Sequence, residues 1–432
     1  MKRLLSLTIL GMVTLYATGQ EPAGNLQPVK LGENVSVKFG GFARADYYLD
    51  TRKGKEAVDG LFYLWPEAVK EDADGKDMNA LVNNNLSATA TRFTALFSGP
   101  EALKAKTSGY FEFDFTAGNS GYVLFRQAWV KLDWPKSSLL IGRNWHPLQG
   151  PVVPSTVSLN YGTPFNIFCR GEQIRYTHKI GTITILAATF WQAGHASFGP
   201  NITNGDPEQS LRFLRNAVLP DLNLQLHYAN GNFTTGLMGH YKKLKPREYT
   251  SGTVTVNGAP VKKTYKTNET VGSFALATFG QYKTGKFVAK GNVMYGQNLA
   301  EMMMPGGYAR LTYDAATGKE TYSVSSAITS WLNLTYGEKV RWGIYGGYQK
   351  NLGYMDVLDP NVAKFYGRSP EIASVWRLAP SITYTAGRML FQFEGEITTA
   401  SYGTINYAKK GKVEDAKGVT NYRLGLSTSF LF

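Results

Sequence analysis

The sequence predicts an all-β fold: a closed antiparallel transmembrane β-barrel of about 16 strands, with long loops on one side and short turns on the other. Three observations predict it. Apolar and polar residues alternate with period two, the signature of a half-buried strand. The alternating runs last about 10–15 residues, whereas globular strands average about 5–6. Short turn signals and longer polar connections follow one another along most of the chain, as expected when strands cross a membrane in both directions.

The chain opens with Met1-Lys2-Arg3, an apolar run from Leu4 to Leu15, and small residues at Ala17 and Gly19. This reads as a secretory signal peptide over residues 1–19, since the run is too short to span a bilayer. Residues 20–34 are expected to form a short periplasmic N-terminal segment. The barrel then occupies 35–432. Its strands are expected at 35–49, 85–98, 108–116, 121–133, 138–144, 165–178, 182–193, 221–229, 232–244, 270–282, 286–299, 320–336, 339–352, 372–385, 388–402 and 419–432. Alternation marks several of them plainly. Phe111, Phe113 and Phe115 interleave with Tyr110, Glu112 and Asp114. Val340, Trp342, Ile344 and Tyr348 interleave with Arg341, Gly343, Tyr345 and Gln349. Met389, Phe391 and Phe393 are followed at the end of the chain by Tyr422, Leu424, Leu426, Phe430 and Phe432.

Hairpin signals separate neighbouring strands: Trp134-Pro135-Lys136-Ser137, Lys179-Ile180-Gly181, Ala229-Asn230-Gly231-Asn232, Lys283-Thr284-Gly285-Lys286, Tyr336-Gly337-Glu338-Lys339 and Ala386-Gly387. The longer connections fall near 50–84, 145–164, 194–219, 245–268, 300–319, 354–371 and 403–418. An even number of strands puts both ends on one side, so the first and last can pair and leave no open edge in lipid. Fourteen or eighteen strands fit the same pattern within boundary errors of about 2–4 residues.

Composition agrees with this reading and excludes others. The 432 residues carry 13% aromatics, 46 Gly and 18% charged residues, against about 25% charged in soluble domains. Apolar content is 43%. A single Cys excludes an intramolecular disulfide framework and a Cys-cluster metal site. The net charge is +14, and export argues against a nucleic-acid partner. The five histidines, His146, His178, His195, His227 and His240, show no ligand spacing, so no metal is expected. Gly280 to Lys286 has nucleotide-loop spacing, but Phe287 replaces the hydroxyl residue and no helix follows. No Gly-x-Ser-x-Gly occurs. No cofactor is expected and the chain reads as non-enzymatic, with a barrel-type lipid hydrolase as one alternative and a structural or adhesive barrel as another.

Alternation sorts residues between lipid and lumen. On the first strand Val35, Val37, Phe39, Ala43, Ala45 and Tyr47 are expected outside, which leaves Lys38, Arg44, Asp46 and Tyr48 inside. The same counting turns Arg92, Glu112, Asp114, Arg175, Arg377 and Arg423 inward. It leaves the facing of Arg126 open.

The closing stretch from Tyr422 to Phe432 resembles the insertion signal of bacterial outer-membrane barrels. Arg126-Gln127-Ala128-Trp129-Val130-Lys131-Leu132, a turn, and Leu139-Leu140-Ile141-Gly142-Arg143-Asn144-Trp145 resemble the fourth and fifth strands of the trimeric Gram-negative porins, including the general and DcaP-like types. Thr91-Arg92-Phe93 and Gly109 to Phe115 are similar to the strands before them. The resemblance implies several things. The chain would lie in the outer membrane among its lipids, as a homotrimer. Phe432 would serve as the insertion signal read by the barrel-assembly machinery. The loop at about 145–164 would fold into the pore. Arg126 and Arg143 would join the pore wall, with His146 at the start of the loop.

Together these readings describe a porin for passive diffusion of small hydrophilic solutes, weakly anion-selective through its lumen arginines. Arginine stays charged at any working pH, and a narrow positive throat concentrates anions. The loop from Trp145 to Pro164 contains no acid, which favours the same preference. Against it, any one arginine can be held in a salt bridge to Glu112 or Asp114 that only stiffens the barrel.

Overall fold

A computed structural model describes residues 27–118 and 121–432. The expected signal peptide at 1–19, and the first part of the 20–34 segment, lie outside these residues. The described chain closes into a single barrel. Its sixteen staves are β1 (Ser36–Asp50), β2 (Arg92–Ala102), β3 (Ala105–Ala117), β4 (Tyr122–Asp133), β5 (Ser137–Trp145), β6 (Arg170–Ile180), β7 (Ile183–Gln192) and β8 (Asp221–Asn230), then β9 (Phe233–Leu244), β10 (Val271–Thr284), β11 (Phe287–Gln297), β12 (Glu320–Gly337), β13 (Val340–Tyr354), β14 (Ile372–Ala386), β15 (Met389–Asn406) and β16 (Lys412–Leu431). The short strand Asn83–Ser87 continues β2 outward along β1.

Each strand pairs antiparallel with the next. β1 closes the ring by pairing with β2 on one side and β16 on the other, in the register Phe42↔Leu431 to Asp50↔Arg423. No backbone edge is left on the ring, which is what lipid demands. The closure is tight at Gly41. Its φ is +148°, and a Cβ there would collide with the Arg92 carbonyl oxygen. Gly41 also exchanges two 3.2 Å backbone hydrogen bonds with Phe432, the last residue.

Alternation becomes a two-sided wall. β10 exposes every second residue, including Phe274 and Leu276, and buries Ala275, Ala277 and Phe279. Outward exposure continues around the ring with Phe39, Phe93, Phe111, Ile141, Ile174, Leu224, Leu237, Val293, Leu332, Trp342, Leu378, Phe393 and Phe430. Such a continuous apolar belt is unfavourable in water and suited to acyl chains.

The turns on the inner side are short; Gly231, with φ +53°, lets β8 reverse directly into β9. The loops on the other side are long and several carry short paired strands of their own; other placements also depart from expectation. The stretch expected as loop 403–418 is mostly strand, because β15 and β16 stay paired as far as Asn406↔Lys412. The third loop runs over 146–169, because β6 begins at Arg170 and not near 165. Val37, expected on the lipid face, is fully buried where Val29–Lys30 folds back to pair with Ser36 and Val37.

The core is inside the barrel. Loop 1 (51–82) contributes buried Phe62, Leu64 and Trp65, and loop 3 contributes Leu148, Val152, Phe165, Ile167 and Phe168. They pack against inward residues such as Phe190, Met238, Phe279 and Trp331. Two loops therefore cross the lumen and decide where it stays open.

Candidate functional site: the lumen and its two cavities

Loop 3 leaves β5 at Trp145 and crosses the lumen while bonded to the wall at each step. Gln225 Nε2 donates to Pro147 O (2.7 Å). Farther along, Lys290 Nζ donates to Ser155 Oγ (2.9 Å), and Asn333 Oδ1 accepts from Ser155 N (2.8 Å). Glu394 accepts from the amides of Val157 and Ser158, both at 2.9 Å. Tyr345 Oη donates to Gly162 O (2.7 Å).

The lumen arginines take part in this fastening. Arg44 is bidentate on Asp46 (Nη2–Oδ1 2.6 Å) and donates to Val157 O at 2.7 Å. Arg377 pairs with Glu396 at 3.1 Å, and donates to Thr163 O (2.8 Å) in loop 3 and Leu64 O (2.7 Å) in loop 1. Arg423 pairs with Asp50 (2.6 Å), lies over the rings of Tyr48 and Tyr63, and donates to Gly60 O at 2.7 Å. A planar guanidinium can hold a carboxylate on one edge and a loop carbonyl on another. These three residues do both.

Open space lies on either side of loop 3, with a further pocket of about 30 Å³ bordered by Asp46, Glu394, Glu396 and Arg423. An outer cavity of about 510 Å³ is bordered by Arg92, Asp114, Arg126, Arg170, His195 and Phe168, among others. An inner cavity of about 40 Å³ is bordered by Arg44, Arg341, Ser155, Thr383, Gln392 and Ser429. Leu159 and Tyr161 border both and form the partition between them. Tyr161 Oη accepts a long contact from Arg92 Nη1 (3.5 Å).

The outer cavity holds a compact charge cluster. Arg126 pairs with Glu112 and Asp114, both at 2.7 Å, and Arg92 reaches the same two acids at 3.6 and 3.3 Å. Arg126 faces the lumen because a bulge between Glu112 and Phe113 leaves it unpaired in the register, flanked by outward Phe125 and inward Gln127. Alternation alone cannot foresee a bulge.

Arg170 adds a third cation. It forms no ion pair among the described residues. Its guanidinium lies over Trp145 (4.5 Å) and Phe168 (5.1 Å), and Nη1 has no hydrogen-bond partner. Counting back from outward Ile174 and Tyr176 puts Arg170 on the lipid face. It sits at a strand end, where the chain turns in from loop 3, and is buried instead. Trp145, its cross-strand partner at the other end of loop 3, behaves alike. His195, in the loop after β7, borders the same cavity. Burial, with Arg170, Arg368 and Arg126 nearby, pushes its imidazole down to about 3, so it stays neutral.

Two other expected pore residues are placed differently. Arg143 is not on the lumen wall. It shares the outward face with Ile141, pairs with exposed Glu172 at 2.7 Å and lies over Phe125 at 5.9 Å, reaching the outer cavity only at its rim. His146 borders neither cavity. It is buried against Phe190 and His240, with ring centroids 4.3 and 5.0 Å away. Arg175 is half-buried in the wall and donates to Gln173 Oε1 (2.9 Å) and Trp145 O (3.0 Å).

The barrel is similar to solved outer-membrane proteins. Outer-membrane-expressed OmpT of Vibrio cholerae shares 11% identity, with 94% of this chain and 100% of that one covered and a TM-score of 0.55. The trimer form of in-vitro folded OmpT from the same organism shares 11% identity, with 93% and 100% covered and a TM-score of 0.51. OmpF of Salmonella typhi, solved with daunomycin, shares 11% identity over 94% and 100% at a TM-score of 0.48. No protein-family model matches the chain, and no curated protein does. The likeness is one of fold: the chain folds as a closed β-barrel similar to those of solved outer-membrane proteins.

Proposed function

We propose that the barrel is a passive diffusion channel for small hydrophilic solutes with a weak preference for anions. The observation that carries this reading is the lining of the two cavities. The inner one is bordered by Arg44, which shares its charge with Asp46, and by Arg341. In the outer one Arg92, Arg126 and Arg170 stand against Glu112 and Asp114, a surplus of one cation. The preference is weak because most lumen arginines already hold a carboxylate. Low-dielectric walls focus what remains, and the narrow partition at Leu159 and Tyr161 favours small solutes.

Reconstitution into planar bilayers tests it. Stepwise conductance with net anion preference is expected. Smooth membranes without steps would favour a second reading, a structural or adhesive barrel, for which the loop-filled lumen speaks. A lipid hydrolase would show itself by phospholipid cleavage, and none is expected.

We also propose a homotrimer joined through the outward face of β2–β5. That face carries shallow apolar recesses of about 430 and 360 Å³, lined by Phe97, Gly109, Val130 and Ile141. The outward Arg143–Glu172 pair is better placed against a neighbouring subunit than against acyl chains. Crosslinking in detergent is expected to give a three-chain band.

A further inference from the structure

Loop 3 begins beside a group of buried side chains that carry unbonded polar atoms. His146 Nδ1 accepts from Leu148 N at 3.1 Å, which leaves Nε2 as its free nitrogen. Asp221, the first residue of β8, has neither carboxylate oxygen in a hydrogen bond, and His240 on β9 has neither ring nitrogen in one. The three side chains are buried, and one ligand atom from each lies within 4.8 Å of the others. Among the described residues Gln192 is the one side-chain donor beside Asp221; its amide also donates to Ser197 Oγ and its carbonyl accepts from Ser197 N, both at 2.9 Å. Lys242 comes close, yet its charge is taken by Glu301, and it also donates to Asn298 O (2.6 Å).

A buried carboxylate with a single amide donor at its margin is expensive, and so is a buried imidazole with both nitrogens idle. Three such groups converging on one point share a single remedy, a cation that all three can ligate. We propose that His146 Nε2, one Asp221 oxygen and one His240 nitrogen bind a divalent transition metal of the zinc type. Two imidazoles and one carboxylate are the donors zinc takes, leaving a fourth position for water. Calcium and magnesium want all-oxygen shells, so the set selects against them. A small inward movement of the side chains brings their atoms to the ~2.0–2.2 Å that zinc requires.

The site has a structural consequence. His146 is the first residue of loop 3, and its N–H is already fixed to Cys169 O (2.9 Å) at the loop's far end. Asp221 and His240 belong to the wall. The metal staples the root of the inward loop to β8 and β9, whatever solute the lumen carries.

The test uses the folded full-length barrel in detergent, stripped with a chelator and equilibrated with zinc chloride. One zinc per chain is expected, undisturbed by excess calcium or magnesium. Asp221→Asn and His240→Gln should each weaken binding at least about tenfold, while His178→Gln, distant from the group, should not. Migration as a heat-modifiable band shows that each variant is folded. Cobalt in the wild-type chain supplies a measurement that needs no variant: a visible spectrum of four-coordinate nitrogen and oxygen ligation is expected. Lack of stoichiometric zinc, retention of full affinity in folded Asp221→Asn and His240→Gln, or a sulfur-to-cobalt band from Cys169 would overturn the proposal.

Discussion

At Arg170 a guanidinium rests over two aromatic rings and forms no ion pair among the described residues. Arg92 and Arg126, one cavity wall away, share two acids. Replacing the first therefore removes net field, while replacing the others removes field and stability together. Arg170→Gln is expected to lower the anion-to-cation permeability ratio with little change in melting temperature; an unaltered reversal potential would take Arg170 out of the filter. Neutralising Arg126 strands Glu112 and Asp114 beside the weaker Arg92 contacts. The cost of breaking a buried pair is about 3–5 kcal/mol, so Arg126→Gln should melt well below wild type and shift selectivity towards cations. Protonation of His195 adds nothing to this field at ordinary pH, because its imidazole is held neutral down to about 3. His195 favours folding above its ordinary value of about 6.5, where neither state is protonated. That contribution is lost as pH falls towards 3, because the unfolded chain takes up the proton first.

Loop 3 is the element on which the proposed channel depends. Its carbonyls and amides are held by Arg44, Arg377 and Glu394, and its Leu159 and Tyr161 separate the cavities. Tyr161→Ala should raise single-channel conductance, since the partition loses a ring; unchanged conductance would locate the narrowest point elsewhere. Glu394→Gln weakens two charge-assisted bonds to the loop, each worth about 1.5–3 kcal/mol, and should increase flicker in the open-channel current. The sequence makes this element legible only in part. Four prolines and no acid between 145 and 164 mark an unusual loop, but its path depends on partners scattered over β1, β12, β13 and β15. The strands themselves are legible because period two is a local property. Facing fails where locality fails. Arg126 sits in a bulge, Trp145 and Arg170 stand at strand ends, and Arg143 lies on the outward side of the Gly-Arg pair that resembled a pore strand. His146, Asp221 and His240 meet only because three separate segments converge.

On the scale of the whole molecule, the barrel is a closed ladder with its core inside and its apolar belt outside. Closure depends on β1 meeting β16, with Gly41 against Phe432 and the Phe432 ring 5.6 Å from Phe93. Gly41→Ala forces a side chain onto the Arg92 carbonyl and should sharply reduce the heat-modifiable folded fraction. Equal yield with wild type would mean the joint can relax. The high aromatic content and low charge are the chemistry of that belt, and the basic excess is distributed between lumen arginines and peripheral lysines. Anion preference requires the positive lining of the proposed pore to outweigh the acids paired within it. The reversal potential of wild-type channels in a planar bilayer under a potassium chloride gradient measures that balance. A potential of the sign set by chloride is expected, modest in size and reduced in Arg170→Gln. A zero potential, or one of the sign set by potassium, would rule the preference out.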